Sequence, residues 1–240
     1  MKKFLTFCLL IGIVLCIAGG IMLGYGIKTD AFTKDNKRVI NTYDITETFD
    51  SINVDVTTGD VVIKPAEDDK VTIICKESEK YQFIAEVKEN VLTIDDKKSS
   101  KNWIDNISIY TFNNRVTIYL PFDTLKNVNI ETTTGDITID SINADKFELK
   151  ATTGDVKLNN SVATDLYKVI VTTGDIEFTR IDSKSIVMRT TTGDISGSIL
   201  TGKKFECSTT HGDKDYPKDS TGDPCILSTT TGDIEVTICE

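Results

Sequence analysis

The amino-acid sequence predicts an all-β fold: a β-solenoid (β-helix or β-roll) of 19–20-residue repeats with an irregular β layer, preceded by one transmembrane helix. Three observations support this prediction. A Thr-Gly-Asp turn recurs along the chain, apolar residues alternate with polar ones on both sides of that turn, and an uncharged apolar run lies near the N-terminus. We therefore divide the chain into an anchor at 1–27, a juxtamembrane linker at 28–42 and a solenoid domain at 43–240.

The turn motif is the strongest repeat signal. Its glycines are Gly59, Gly135, Gly154, Gly174, Gly193 and Gly232. A variant, His211-Gly212-Asp213, has histidine in the threonine position. From Gly135 onward, successive glycines are 19, 20, 19, 19 and 20 residues apart. A constant period of this length is typical of stacked supersecondary units, each of which buries its apolar face against its neighbours.

The residues around each glycine indicate strands. Positions seven and five before the glycine, and two and four after it, form four mostly apolar columns with period two. Each unit therefore reads as strand, tight turn, strand and return loop. We expect successive units to pair in parallel, about 4.8 Å apart. A twisted β-sandwich of hairpins is the competing architecture.

The segment between Gly59 and Gly135 lacks the turn motif. It reads as ordinary hairpins, with strands at 71–75, 83–87, 91–95 and 115–120, a hairpin loop at 88–90 and an exposed loop at 96–102. We expect this segment to be the irregular layer that begins or caps the solenoid.

The N-terminal segment predicts a membrane anchor. Lys2 and Lys3 precede residues 4–27, which are 24 residues without a charge, and about 20 helical residues cross a bilayer core. A cleavable signal peptide is the alternative, but its apolar region is usually shorter, at about 7–15 residues. The leading lysines favour a single-pass protein of the cell membrane with its domain outside the cytoplasm. Lys28, Lys34 and the cations that follow favour the opposite topology.

Composition excludes two classes of function. The net charge is −10, and beyond Lys3 the count is 25 Lys and Arg against 37 Asp and Glu. A nucleic-acid partner is not expected, because phosphate binding requires clustered cations. The six cysteines form no Cys-x-x-Cys pair and there is one histidine, so no structural zinc site is predicted.

The turn aspartates are weak candidates for a ladder of cation sites. They are Asp136, Asp155, Asp175, Asp194, Asp213 and Asp233, together with Asp60. In stacked units their carboxylates would lie about 5 Å apart and repel each other. Either turn hydrogen bonds and water compensate this repulsion, or cations such as Ca²⁺ bridge the carboxylates. One carboxylate per unit is few for calcium, which takes six to eight oxygen ligands, so we favour the turn chemistry.

Threonines beside the turn form a second candidate surface. They are Thr134, Thr153, Thr173, Thr192, Thr210 and Thr231. A regular threonine array can bind ice or a polysaccharide, but β-branched residues more often stabilise strand ends.

The remaining candidates carry little chemistry. His211 occupies a turn position without an evident nucleophile. Cys207 and Cys225 fall in the apolar columns of adjacent units as small buried residues, and a disulfide between them is an alternative. Trp103 has Tyr110 and Phe112 nearby. These residues either form an aromatic contact surface or pack under a loop, which is the commoner arrangement. We predict no catalytic residue and no cofactor.

The anchor, the Val-Thr-Ile-Tyr-Leu-Pro strand at 116–121 and the repeated turn together resemble a known family. This is the bacterial "putative adhesin" domain family of unknown function, which includes LiaG-like membrane-anchored proteins of envelope-stress operons. The resemblance covers roughly 43–240 and implies a β-solenoid at a bacterial cell envelope. It supplies no catalytic residue.

These observations predict a non-enzymatic, membrane-anchored envelope protein whose repetitive surface serves adhesion or binds an envelope protein or wall polymer. An accessory or sensory subunit of an envelope-stress response is the alternative. A polysaccharide-acting β-helix enzyme is a third hypothesis, but such a site requires paired carboxylates in a groove, and no repeat differs chemically in that way.

Overall fold

The structure, a computed structural model, describes residues 38–78, 82–96 and 114–239. All of them belong to one compact unit. Every regular element in these ranges is a β-strand, which confirms the all-β prediction. The predicted anchor at 4–27 lies outside them, and no helix within them is long and apolar enough to span a membrane.

The strands alternate along the chain with short turns. The first seven are β1 Arg38–Ile45, β2 Ser51–Thr58, β3 Asp60–Pro65, β4 Val71–Ser78, β5 Phe83–Lys88, β6 Val91–Asp96 and β7 Arg115–Leu120. The next six are β8 Thr124–Thr134, β9 Ile137–Asp140, β10 Asn143–Thr153, β11 Val156–Asn159, β12 Ala163–Thr173 and β13 Ile176–Ile181. The last six are β14 Ile186–Arg189, β15 Ile195–Ile199, β16 Lys203–Ser208, β17 Lys214–Asp215, β18 Asp223–Ser228 and β19 Ile234–Ile238.

Each repeat contributes one strand to each of two sheets. The strand before the turn joins a nine-stranded sheet, and the strand after it joins a ten-stranded sheet. Such a pair of strands is called a coil below. Neighbouring coils pair in parallel, as β10 does with β8 and β12, and the pairing with β12 has one register shift, between Ala144 and Lys146. The predicted parallel solenoid is therefore confirmed, and a sandwich of hairpins is not what the chain forms.

The apolar columns form the core between the sheets. In the coil of β10 and β11 the four column residues are Phe147, Leu149, Val156 and Leu158, and all are buried. Phe147 stacks on Tyr167 of the next coil with ring centroids 4.6 Å apart. Each such fully buried side chain contributes about 1.5–3 kcal/mol to folding. Successive coils therefore stabilise each other through the same columns that the sequence predicts.

Three strands extend into the segment predicted to be the return loop. The strands β8, β10 and β12 each have 11 residues. The extra residues come from the return loop, which also pairs with its neighbours: Ala144 lies opposite Leu125 and Ala163. These return residues are buried as well, so they extend the core.

The last two coils stack in the reverse of their chain order, which corrects the expectation that successive units pair. The final coil, β18 and β19, lies between β14/β15 and β16/β17. The coil of β16 and β17 has Lys214 and Tyr216 in columns where the final coil has Ile234 and Val236. Burying an unpaired lysine is costly. The coil that carries Lys214 therefore takes the outermost position, where that side chain is exposed.

One further coil lies at the opposite end, in the segment predicted to contain only hairpins. β6 pairs in parallel with β2, and β7 pairs in parallel with β3. The predicted hairpin of β5 and β6 is confirmed, and Glu89 and Asn90 turn it with φ of 52° and 63°, as a two-residue hairpin turn requires. β5 and β4 pair antiparallel with this coil. β1 pairs antiparallel with β4 and begins at Arg38, within the segment assigned to the linker.

Candidate functional site

The repeated turns lie side by side along one edge of the coil stack, and we call this edge the spine. Thr134, Thr153 and Thr173 are register partners in neighbouring coils, and bridges continue the row through Thr192 and Thr231. The threonine before each of these five is exposed as well. The spine therefore presents two exposed threonines per coil, with coils about 4.8 Å apart.

The turn glycines are fixed by stereochemistry and by close stacking. Gly154 has a φ of +139°, a conformation that side chains with a Cβ rarely adopt. A Cβ at Gly154 would lie 2.2 Å from the carbonyl oxygen of Gly135. The N–H of Gly154 donates to the carbonyl of Thr173 at 3.0 Å, so the turns bond to each other directly. These contacts explain why the motif tolerates no side chain at this position.

The turn aspartates form a continuous ladder of hydrogen bonds. In each step, Oδ1 of one aspartate accepts the backbone N–H of the aspartate in the next coil. The acceptors, in order along the stack, are Asp60, Asp136, Asp155, Asp175, Asp194 and Asp233, and the last donor is Asp213. The six distances lie between 2.7 and 3.2 Å. Hydrogen bonds to a charged acceptor are the stronger kind, at about 1.5–3 kcal/mol.

The hydrogen bonds of this ladder compensate the electrostatic repulsion between the stacked carboxylates. Every carboxylate except that of Asp213 accepts an amide of the adjacent coil, and at one end Asp60 also pairs with Arg115, whose Nη2 lies 2.9 Å from Oδ2. No group of three or more His, Cys, Asp or Glu side chains in the described ranges could hold a metal ion. The cation ladder stays a prediction, while the hydrogen-bonded turn has a defined geometry.

Sequence reasoning missed a set of buried threonines beneath the turn. Three residues before the glycine, the hydroxyl of Thr190 donates to the carbonyl of Gly174 at 2.9 Å, and that of Thr229 donates to Gly193 at 2.9 Å. The same position is Ala151 in another coil, so these donors are not in every repeat. The signal available in the sequence was a threonine in a position that alternation assigns to the core.

His211 and the column cysteines lie apart from any catalytic arrangement in the described part of the chain. His211 is exposed and bridges to Thr231 in the threonine row. Cys207 and Cys225 lie in adjacent coils, as expected, but their thiols are free. Cys225 lies opposite Phe205, so the two cysteines are offset by two residues. Such diagonal neighbours lie about 7–8 Å apart, too far for a disulfide.

Burial explains the properties of both thiols. It raises the pKa of Cys225 to about 12, and the neighbouring Cys207 adds to the effect. Burial raises the pKa of the Cys207 thiol to about 11. Both are therefore protonated at neutral pH and poor nucleophiles. The aromatic candidates Trp103, Tyr110 and Phe112 lie outside the described residues.

Comparison with solved structures finds bacterial proteins that are similar to this chain. A crystal structure of a "putative cell adhesion protein" from Clostridium sporogenes ATCC 15579 has a TM-score of 0.52, with 16% identity over 85% of this chain and 100% of that chain. A "putative adhesin" from Bacteroides fragilis NCTC 9343 has a TM-score of 0.48, with 17% identity over 85% of this chain and 98% of that chain. A search of the curated proteins finds no match.

The family comparison covers the whole coil stack. The model of the Toastrack DUF4097 family matches residues 49–240. This range includes every turn motif described above and most of the chain, and it confirms the resemblance drawn from the turn motif. The chain therefore belongs to the Toastrack DUF4097 family.

Proposed function

We propose that this protein is a membrane-anchored component of the bacterial cell envelope whose spine binds a wall polymer or an envelope protein. The observation that carries the proposal is the regular, exposed pair of threonine columns along the spine. The similarity to a protein described as a putative cell adhesion protein is consistent with this role.

Rigidity makes the spine suited to binding. The exposed Thr172 and Thr173 belong to β12, whose turn is held by the ladder through Asp155 and Asp175. Hydroxyl groups on such a fixed backbone lose little conformational freedom when they bind a ligand. A polymer that repeats along its length can contact several coils at once, and each added contact raises the avidity.

The acidic charge around the spine limits which polymers it can bind. The ladder carboxylates lie directly beside the threonine columns, and the chain beyond Lys3 has 25 cationic against 37 acidic residues. A polyanion would be repelled by this surface. The spine therefore fits a neutral or cationic polymer, for which the threonine hydroxyls serve as donors and acceptors.

The test is co-sedimentation of the full-length protein, in detergent, with purified cell-wall sacculi. Replacing Thr172, Thr173, Thr191 and Thr192 by valine removes hydroxyls and keeps β-branched side chains. We expect retention to fall by roughly tenfold, because several contacts are lost together. Thr138→Val with Thr179→Val, on the ten-stranded sheet away from the spine, is the matched control. Equal retention of both variants, or no retention of the wild type, would contradict the proposal.

The location of the domain requires its own test. We expect a protease added to intact cells to remove a C-terminal tag, because Lys2 and Lys3 before the apolar run favour a domain outside the cytoplasm. Protection of the tag until lysis would instead support the inverted topology. The sensory and enzymatic alternatives stay predictions, and deletion followed by an envelope-stress assay distinguishes the sensory one.

A further inference from the structure

Three exposed side chains form a row across the first strands of the ten-stranded sheet. Ile40 of β1 lies opposite Lys76 of β4, and Lys76 lies opposite Arg115 of β7. Because paired residues of neighbouring strands point to the same face, the three side chains share the outer surface. The side chain of Ile40 is 65% exposed, which is the largest exposure of any large hydrophobic residue in the described ranges. We call this row the proximal corner.

The proximal corner combines an apolar side chain with two cations on an otherwise acidic domain. Lys76 is exposed and has no ion-pair partner within the described residues. The Arg115 side chain pairs with Asp60 but stays 46% exposed. An apolar side chain beside cations fits the headgroup level of a bilayer that contains anionic lipids, where each cation contributes attraction.

The sequence before β1 indicates that the partner of this corner is the bilayer surface. The 37 residues before Arg38 contain the apolar run 4–27, which leaves only residues 28–37 between that run and β1. Ten extended residues span at most about 33–36 Å. If the run crosses the membrane, as the proposed function requires, β1 begins close to the bilayer surface.

The outer face of the ten-stranded sheet becomes acidic away from this corner. In the next row, Glu177, Glu235 and Asp215 occupy β13, β19 and β17, and the one lysine of this row, Lys157, is paired with Glu177. Across the stack, Asp55 and Asp95 lie opposite each other on the nine-stranded sheet. The nine-stranded sheet also carries Lys150 and Lys168, whose charges are offset by Glu131 and Glu148. Anionic headgroups repel the carboxylates, which disfavours a flat arrangement of either sheet on the membrane.

From these observations we infer that the proximal corner rests against the anionic lipid headgroups and the coil stack projects away from the bilayer. This inference rests on the anchor of the proposed function. The coil of β16 and β17 is then the distal tip, and seven coil spacings of about 4.8 Å separate it from the coil of β6 and β7. The spine is displayed along this height, where a wall polymer can reach it.

The test places a fluorescent probe on the full-length protein in vesicles of mixed anionic and zwitterionic lipid that carry a headgroup quencher. Serine replaces Cys8, Cys16, Cys207 and Cys239, and the buried Cys75 and Cys225 remain. Single cysteines are then introduced as Thr42→Cys, next to the proximal corner, and as Lys204→Cys, on the distal coil.

We expect strong quenching at position 42 and little at position 204, because headgroup quenching acts over short distances. Lys76→Glu should weaken quenching at position 42 by roughly fivefold at low salt, since one attractive cation becomes repulsive. Lys70→Glu, an exposed change just before the other end of β4, is the matched control and should have no effect.

Three results would overturn the inference. Equal quenching at positions 42 and 204 would mean that the domain lies flat. Unchanged quenching in Lys76→Glu would mean that the corner makes no charge contact. Failure of the protein to float with the vesicles would remove the anchor itself. Loss of binding to sacculi with the quenching pattern intact would instead count only against the proposed function.

Discussion

The ammonium group of Lys203 lies 2.5 Å from Oδ1 of Asp182, and both side chains are largely buried. Lys203 belongs to β16 in the outermost coil, whereas Asp182 lies in the loop before β14, two coils away. Nζ of Lys203 also donates to the carbonyl of Ser183 at 2.7 Å. The Lys203 side chain therefore extends past the final coil and links the outermost coil to the loop before β14.

The reversed coil order can be checked by cross-linking. Arg189 lies opposite Ser228, and Ser228 lies opposite Ser208. Cysteines at 189 and 228 would be about 4.8 Å apart and should form a disulfide readily. Cysteines at 189 and 208 would be two coil spacings apart and should not. The measurement is the oxidised fraction of each double variant, and efficient formation of the second pair would show that the coils stack in chain order.

Removing the lysine should weaken this end of the fold. Lys203→Met removes the cationic partner of the Asp182 carboxylate and leaves only the N–H of Ser183 bonded to it. We expect a loss of about 3–5 kcal/mol in the free energy of unfolding. Asp182→Asn in the same chain should recover part of that loss, because no uncompensated charge remains. Urea unfolding of the two single variants and the double variant measures this coupling. Strictly additive losses would mean that the pair does not interact.

Glycine at the turn should be irreplaceable in the middle of the stack. Gly174 has a φ of +144°, and a Cβ there would lie 2.1 Å from the carbonyl oxygen of Gly154. Gly174→Ala should therefore cost about 3 kcal/mol or more, from backbone strain and displaced coils. Thr172→Ala, an exposed change two residues earlier, should stay within about 0.5 kcal/mol of the wild type. Thermal unfolding compares them, and a stable Gly174→Ala protein would contradict the stacking geometry.

The sequence predicted the features that depend on local stereochemistry. A tight turn requires glycine, and alternation around Gly135 or Gly154 identifies the core columns directly. The order of the last two coils was not predictable in the same way, because parallel hydrogen bonds form equally well with either neighbour. Lys214 and Tyr216, polar residues in apolar columns, are the signal that this coil caps the stack.

Two other features could not be predicted in full from the sequence. The sequence between β6 and β7 contains no Thr-Gly-Asp motif, so periodicity could not find this coil. The spacing of the aspartate ladder followed from the repeat. Its hydrogen-bond partners did not, because they are backbone amides, which every residue except proline has and which no sequence pattern can therefore identify. The direction of the bond from Asp175 to Asp155 is visible only in the structure.

Buried thiols should make the protein less stable in alkali. Desolvation raises the pKa of Cys75 to about 12, with a further contribution from Glu77, and that of Cys225 also to about 12. An unfolded thiol titrates near about 8.5. The folded state therefore holds these protons more tightly, and its stability is complete below about pH 8 and declines as the pH rises towards 12.

Urea unfolding at pH 7.5 and pH 10.5 measures this decline. We expect a lower midpoint at the higher pH, and a smaller drop in a Cys75→Ala, Cys225→Ala variant, which lacks the two titrating groups. The variant will be less stable at both values, because each substitution leaves a cavity. Equal drops in the variant and the wild type would show that the thiols are not responsible.

We expect hydrogen bonds from backbone amides to the aspartate carboxylates to hold the turn motif together without an ion. The direct measurement is urea unfolding of Asp155→Asn and Asp155→Ala, each with calcium and with a chelator. Asn keeps an oxygen that accepts the N–H of Asp175 and removes a repelling charge, so its stability should match or exceed the wild type. Ala should lose about 1.5–3 kcal/mol, and calcium should change neither. Equal losses in both variants, with a wild type that calcium stabilises, would show that the ladder binds cations.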